Sequence, residues 1–209
     1  MIEQIDNFLQ IILAGACTAY SAYRAVASGR REWILLGLFS GAFFFGDLYY
    51  TLNLILYEET YADSNIPYLC WYTSFYFMIL LILYIKGDKS DKKTPAIMSL
   101  IPVFTAGMCA FFILKGDVLS NLISFVLMTL LLWNAADGLQ MLRSCTIEQQ
   151  PVKRIYLVTF LFCFAEYALW TSSCFWMGDT IFNPYFWFDT LISVCFVLYI
   201  LAFRKAVDG

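Results

Sequence analysis

Long apolar runs follow one another along this chain, and each run is ended by a short polar stretch. Most runs are about twenty residues long, which is the length that crosses the hydrocarbon core of a bilayer as an α-helix. They are too long and too continuous to be the strands of a membrane barrel. The pattern predicts seven transmembrane helices, at residues 8–27, 33–57, 67–86, 95–114, 118–142, 154–177 and 184–205.

The composition leaves little room for any other kind of domain. Of the 209 residues, 61% are hydrophobic and 14% are charged, whereas charged residues make up about a quarter of a soluble domain. No segment remains for a soluble lid or catalytic domain once the apolar runs are assigned. We therefore expect an all-α, polytopic membrane protein. It should form a single transmembrane domain over residues 1–209, with membrane lipid as its surroundings.

The charges between the runs predict an orientation. Basic residues lie in alternate connections and at the end of the chain, at residues 30–31, 86–93, 143–154 and 204–205. The other connections are acidic, with Lys115 as their only base. Because Lys and Arg stay on the cytoplasmic side, we expect the N-terminus outside and the C-terminus inside, in the cytoplasmic membrane of a bacterium. The net charge of −3 argues against a nucleic-acid partner.

The two halves of the chain resemble each other. Residues 8–86 and 118–205 each contain a helix with an acid near its middle, then an acidic loop, then a helix that starts with Pro-Tyr. Asp47 and Glu166 are the acids of the two equivalent helices, and aligning Pro67 with Pro184 pairs Tyr72 with Asp189. Residues 95–114 would be a linker helix, which lets both halves keep the same orientation as a parallel 3+1+3 repeat. Chance similarity between aromatic-rich helices is the alternative.

Four acids lie inside apolar runs, at Asp47, Asp137, Glu166 and Asp189. A carboxylate at membrane depth costs several kcal/mol unless it faces a partner or a wet cavity, so such residues are functional candidates. If the repeat is real, Asp47 and Glu166 face each other at equal depth and could share one proton. They could couple protons, clamp a cationic or hydroxyl-rich ligand, or act as general acid and base. They could also be protonated structural links between helices.

Aromatic residues accompany these acids at helical spacing. Tyr50 lies beside Asp47, Trp170 shares a face with Glu166, and Asp189 is expected to lie with Tyr72 in the outer third of the membrane. Part of this aromatic content would serve as an interfacial belt. Aromatic walls with a few polar groups suit a flat ligand that carries an amine or resembles a sugar. We predict a ligand site made of Asp47, Tyr50, Tyr72, Glu166, Trp170 and Asp189.

Asp137 lies in the inner third of its run, at about the depth of Arg24 in the first run. A buried Arg24–Asp137 ion pair would leave neither charge uncompensated. Alternatively, Arg24 extends to the membrane surface. The pair is as consistent with a structural role as with a functional one.

Several kinds of chemistry lack the residues that they need. The chain has no histidine, and its seven cysteines show no CxxC spacing, so we expect no metal site and no cofactor. Cys70 and Cys174 could pair, or could be small packing residues. No lysine in the last run could hold retinal, and GxSxG and P-loop motifs are absent. These features favour a non-enzymatic protein.

The segment Phe45-Gly46-Asp47-Leu48-Tyr49-Tyr50 and the two Pro-Tyr helix starts resemble the seven-helix sensor domains fused to GGDEF signalling proteins. The resemblance covers nearly the whole chain, although its motifs are short. It implies that a small ligand is sensed inside a helical bundle. No signalling domain follows within these 209 residues, so a receptor would need a separate cytoplasmic signalling partner.

Two other families are also similar. Phe45-Gly46-Asp47 and Ala135-Ala136-Asp137 resemble motifs of the YhhN-like lysoplasmalogenases, which would make Asp47 and Asp137 catalytic acids. That family usually has eight helices and a histidine. SWEET-like transporters of sugars and small vitamins share only the 3+1+3 plan. Our expectation is a sensor-like protein that binds a small molecule, with transport or lipid hydrolysis as alternatives. A homodimer is plausible, although no GxxxG stripe marks its interface.

Overall fold

The computed structural model describes residues 2–57, 65–87, 96–143, 146, 149–176, 178 and 180–207. The acidic loop predicted around residues 58–63 and the lysines at 89, 92 and 93 lie outside the described residues. The described part forms an all-α fold, which confirms the predicted class. Its helices are α1 (Ile2–Ser28), α2 (Arg31–Tyr57), α3 (Asn65–Lys86), α4 (Leu100–Ile113), α5 (Val118–Met141), α6 (Gln150–Ser173) and α7 (Pro184–Val207), with a 3-10 helix at Ala96–Ser99.

Most helices begin and end within a few residues of their predicted bounds; α1 begins six residues before its predicted start, and the fourth segment is interrupted. The predicted helix over 95–114 is divided into the 3-10 helix and α4. Pro102 lies in the first turn of α4, where its missing N–H breaks no intrahelical bond. The fourteen residues of α4 span about 21 Å, which is shorter than the hydrocarbon core of about 30 Å.

Within the described residues, five helices are long and apolar enough to cross a membrane: α2, α3, α5, α6 and α7. Large apolar side chains point outward from the bundle, as expected of a surface in contact with lipid; Phe45, for example, is 61% exposed. The chain is thus a multi-pass membrane protein. The crossing of the membrane by α1 and α4, and therefore the count of seven spans, stays a prediction.

Six helices close into a ring. Around the ring, α1 packs on α2, α2 on α3, α3 on α5, α5 on α6, α6 on α7, and α7 on α1. The fourth helix packs on α5 and reaches α6 through Phe104 and Phe112, so it lies beside the ring. In this order α2 lies opposite α6. A repeat of three helices with a linker would produce the same order, and the repeat itself remains a prediction.

Aromatic side chains fill the middle of the ring. The Phe39 ring lies 5.5 Å from the rings of Phe162 and Phe196 and 5.6 Å from that of Tyr199. Phe43 contacts Phe162 and Phe196 at 6.0 and 5.2 Å. This aromatic cluster joins α2, α6 and α7 across the ring. Tilted and edge-to-face contacts of this kind stabilise a core beyond the effect of burial alone.

The bundle is also joined at the end where the chain passes from α1 to α2. Gly29 ends α1 with φ of +65°, a conformation that glycine adopts without strain. Arg30 follows, and its guanidinium donates to the backbone carbonyl of Val207 at the end of α7. The Trp33 ring packs between Tyr20 and Phe203. These contacts hold α1, α2 and α7 together at the end that carries most of the basic residues.

Candidate functional site

A cavity of about 660 Å³ lies at the opposite end of the ring. Its walls come from the beginnings of α1, α3, α5 and α7 and from the ends of α2, α4 and α6. Exposed residues at its rim, including Lys115, Asp117 and Trp176, show that it opens at this end of the bundle. Its volume is in the range of sites for small molecules.

All six residues predicted as a ligand site line this one cavity: Asp47, Tyr50, Tyr72, Glu166, Trp170 and Asp189. They come from α2, α3, α6 and α7, so the ring brings together positions that lie far apart in sequence. Their role in binding remains a prediction. The structure shows that all six line the same continuous cavity.

Asp47 is held by Trp71, a residue that the sequence analysis did not single out. The indole Nε1–H of Trp71 donates to Asp47 Oδ1 at 2.9 Å. Gly46 makes room for this contact, because a Cβ there would lie 2.8 Å from the same Nε1. A tryptophan on an apolar helix needs an acceptor for its N–H. That need was the signal in the sequence that Trp71 would contact a buried polar group such as Asp47. Asp47 Oδ2 has no hydrogen-bond partner among the described residues.

Glu166 and Asp189 are as deeply buried as Asp47, at 3%, 2% and 4% exposure. Each has one carboxylate oxygen, Glu166 Oε1 and Asp189 Oδ2, without a hydrogen-bond partner in the part of the chain that the structure describes. The three carboxyl groups are close enough for their charges to interact. Ionised together, they would repel one another in a region of low dielectric.

The start of α1 brings polar side chains into the cavity that the sequence analysis missed. Asp6, Asn7 and Gln10 line it and are almost fully buried. Gln10 lies within hydrogen-bonding reach of Asp189, and the charge of Asp6 acts on Asp189 as well. The predicted first run begins at residue 8, so Asp6 and Asn7 lie before it. Their spacing with Gln10, which places the three on one helical face, was the overlooked signal.

The start of α5 forms part of the rim of the cavity. Asp117 accepts hydrogen bonds from the Leu119 and Ser120 amides and from the Ser120 hydroxyl, and so forms the N-cap of this helix. The Ser120 hydroxyl and the Leu119 amide, in that order of effect, lower the pKa of the Asp117 carboxyl. The Tyr72 hydroxyl donates to the Ser120 carbonyl at 3.2 Å, which joins α3 to α5 at the cavity wall.

Aromatic rings make up much of the remaining wall. Trp71 contacts Tyr68 and Tyr50, with ring centroids 5.5 and 6.1 Å apart. Trp170 packs against Phe75 and Phe112. Phe43 belongs both to the cavity wall and to the aromatic cluster in the middle of the ring. The cluster therefore forms the floor of the cavity and separates it from the other end of the bundle.

The described residues contain no group of three or more Cys, Asp or Glu side chains placed to hold a metal ion. The buried acids of the cavity come from four helices, α1, α2, α6 and α7. Both Cys70 and Cys174 are free thiols. The arrangement can supply hydrogen-bond acceptors, negative charge and aromatic surface to a molecule larger than an ion.

Asp137 lies at the other end of the bundle, and its partner differs from the predicted one. Lys86 Nζ lies 2.5 Å from Asp137 Oδ2 and 3.4 Å from Asn134 Oδ1. The Arg24 guanidinium lies over the Trp33 ring, 5.7 Å from its centroid. The predicted Arg24–Asp137 pair is corrected to Lys86–Asp137. Since α5 packs on α3, whereas α1 packs on α2 and α7, the cation closest to Asp137 comes from α3.

The structure does not bring Asp47 and Asp137 together. Asp47 lies in the cavity wall, and Asp137 is not among the lining residues. From their positions along α2 and α5, the two lie roughly 18 Å apart along the bundle axis at 1.5 Å per residue. A catalytic pair of these two acids, as the lysoplasmalogenase resemblance implied, finds no geometric support.

The fold and this cavity define the class as a multi-pass helical membrane protein with an acidic and aromatic cavity between its helices. Compared with known protein families, with curated proteins and with solved structures, the chain matches none. The assignment of function therefore rests on the geometry of the site and on its chemistry.

Proposed function

We propose that this protein binds a small molecule in the cavity and acts as a membrane sensor or receptor. One observation carries the proposal: Asp47, Glu166 and Asp189 come from three helices, are buried, and each keeps an oxygen without a partner among the described residues, all at one cavity. Buried polar groups in folded proteins are normally hydrogen-bonded, so these oxygens are available to accept hydrogen bonds from a ligand in the cavity.

We also propose where the protein lies in the cell and how it passes on a signal. We place the protein in a cytoplasmic membrane with the cavity facing outward. The basic side chains of Arg30, Arg31, Lys153 and Arg204 lie at the end away from the cavity, which agrees with the side that positive charges prefer. A sensor of this form would pass its signal to a partner at that basic surface, and α2, α6 and α7, joined by the aromatic cluster, would carry the change.

Co-purification tests the binding. The protein is purified in detergent, and small molecules bound to it are identified by mass spectrometry, beside the Asp47→Asn/Glu166→Gln double variant. We expect a polar metabolite with the wild type and its loss from the double variant. Glu32→Gln, at the start of α2 and far from the cavity, is the matched control and should retain the metabolite. Equal recovery from wild type and double variant would contradict the proposal.

Transport is a second candidate, because the cavity opens at one end and is closed below by the aromatic cluster. One-sided access of this kind is what one state of an alternating-access carrier shows. Uptake of the co-purified metabolite into proteoliposomes distinguishes the two. A carrier should accumulate the metabolite, with uptake lost in Asp47→Asn. Binding without uptake would leave the sensor as the function.

A further inference from the structure

We propose that the ligand is a small organic cation, such as a protonated or quaternary amine. Its charged nitrogen would lie among Asp47, Glu166 and Asp189, and its apolar body would lie against Trp71 and Trp170. This inference rests on the proposed binding function and specifies its ligand class.

The balance of charge in the cavity is the first argument. Asp6, Asp47, Glu166 and Asp189 all line it, whereas Lys115 is the only basic residue among the described lining residues. Lys115 is exposed at the rim, where its ammonium lies 5.7 Å from the centroid of the Phe175 ring. Asp47, Glu166 and Asp189 thus have no basic side chain beside them among the described lining residues, and ionised carboxylates in such a place need a cation. A cationic ligand would supply the missing charge.

The spread of the acids argues for an organic cation. A metal ion such as Ca²⁺ needs several oxygen ligands at about 2.3–2.6 Å. No group of three acidic or cysteine side chains in the described part of the chain is placed to hold a metal ion. An organic cation can place its charge among carboxylates from α2, α6 and α7 without that close coordination, and the volume of about 660 Å³ accommodates its body.

The aromatic wall is the third argument. Cations bind over the faces of tryptophan and tyrosine rings, and quaternary ammonium groups are recognised in this way. The Trp71 indole is held in place by its bond to Asp47 Oδ1, so one carboxylate and one ring are fixed side by side. Trp170 on α6 supplies a second indole near Glu166. An ammonium group that donates to Asp47 Oδ2 would lie next to the Trp71 ring.

Matched pairs of ligands test the charge directly. Choline is compared with its uncharged isostere 3,3-dimethylbutanol, and phenethylamine with 2-phenylethanol; spermidine and glucose extend the panel. Binding to the full chain in lipid nanodiscs is measured at neutral pH by calorimetry and by tryptophan fluorescence. We expect at least one cation to bind about tenfold or more tightly than its neutral counterpart, because charge-assisted hydrogen bonds and cation–π contacts are lost in the latter.

Variants then assign the effect to the cavity. Glu166→Gln and Asp189→Asn should each weaken binding of that cation by about tenfold or more, while Glu32→Gln should leave it unchanged. The comparison of isosteres on the wild type needs no variant, so a variant that fails to fold does not weaken the test.

Two results would overturn the inference, and they bear differently on the proposed function. Neutral isosteres or glucose binding as tightly as every cation would refute the cationic class and leave a small-molecule site. No binding of any cation would refute the class as well. The co-purification experiment then decides separately whether the cavity binds a different molecule.

Discussion

The two ends of this bundle differ in how their acidic side chains are paired. At the basic end, Asp137 has its counterion within the protein, since Lys86 Nζ lies 2.5 Å from it and also donates to Asn134 Oδ1. At the cavity end, Asp47, Glu166 and Asp189 share a space whose only described lysine is at the exposed rim.

The difference separates a structural acid from a candidate binding acid. An ion pair that is complete within the protein links two helices, here α3 and α5, and needs nothing from outside. A buried carboxylate oxygen that accepts no hydrogen bond lowers the stability of the protein until a hydrogen-bond donor binds to it. The cavity acids are therefore expected to contribute to ligand binding, and Asp137 to the free energy of unfolding.

The largest effect is expected from breaking the pair at the basic end. Lys86→Met should lower the free energy of unfolding by about 3 kcal/mol, because it leaves Asp137 without its cation. Denaturant unfolding in detergent measures this loss. The Lys86→Met/Asp137→Leu double variant removes both charges and should recover most of the stability. A double variant as unstable as the single one would show that packing, rather than the charge pair, was lost.

Next in size is the contact that positions Asp47. Gly46→Ala places a Cβ 2.8 Å from Trp71 Nε1, so the indole must move, at a cost of about 1–3 kcal/mol. Gly107→Ala is the matched control, since nothing lies within 4 Å of its Cβ position. That control should be neutral or gain about 0.5–1 kcal/mol. Equal stability of the two variants would mean that the Trp71–Asp47 contact is loose.

Neutralising the cavity acids should have a small effect on folding. Glu166→Gln and Asp189→Asn are expected to leave the free energy of unfolding within about 0.5 kcal/mol, or to raise it, since no internal cation loses its partner. Asp137→Asn, measured in the same way, should cost considerably more. If Asp189→Asn proves as destabilising as Asp137→Asn, the contrast between the two ends does not hold.

The smallest effect concerns Asp117 at the rim and appears in its dependence on pH. Hydrogen bonds from Ser120 and Leu119 lower the pKa of this carboxyl in the folded protein. Its charge therefore stabilises the fold above its ordinary pKa of about 3.9, and that contribution is lost as pH falls through the folded-state value. Asp117→Asn keeps an N-cap acceptor without a charge. Its melting temperature should lie slightly below that of the wild type at neutral pH and converge with it in acid.

Hydropathy predicted the helices well because the length of an apolar run is set by the membrane, which acts on each segment independently. The α5 and α7 helices begin at the predicted residues, 118 and 184. The start of α1 was missed because a helix continues through polar residues when they face a cavity. For the same reason Asp6 and Asn7 were absent from the predicted site.

Sequence alone was enough to predict an all-α membrane protein with acids inside its apolar runs, and to identify six of the residues that line the cavity. The contacts between particular side chains followed from how the helices pack. In the folded protein Trp71 donates to Asp47, Lys86 pairs with Asp137, and the start of α1 lies beside Asp189 of α7. Local composition indicates which side chains are buried, whereas the order of the helices around the ring determines which partner each side chain contacts. That order depends on packing between side chains distant in sequence, such as Phe39 with Phe162 and Phe196.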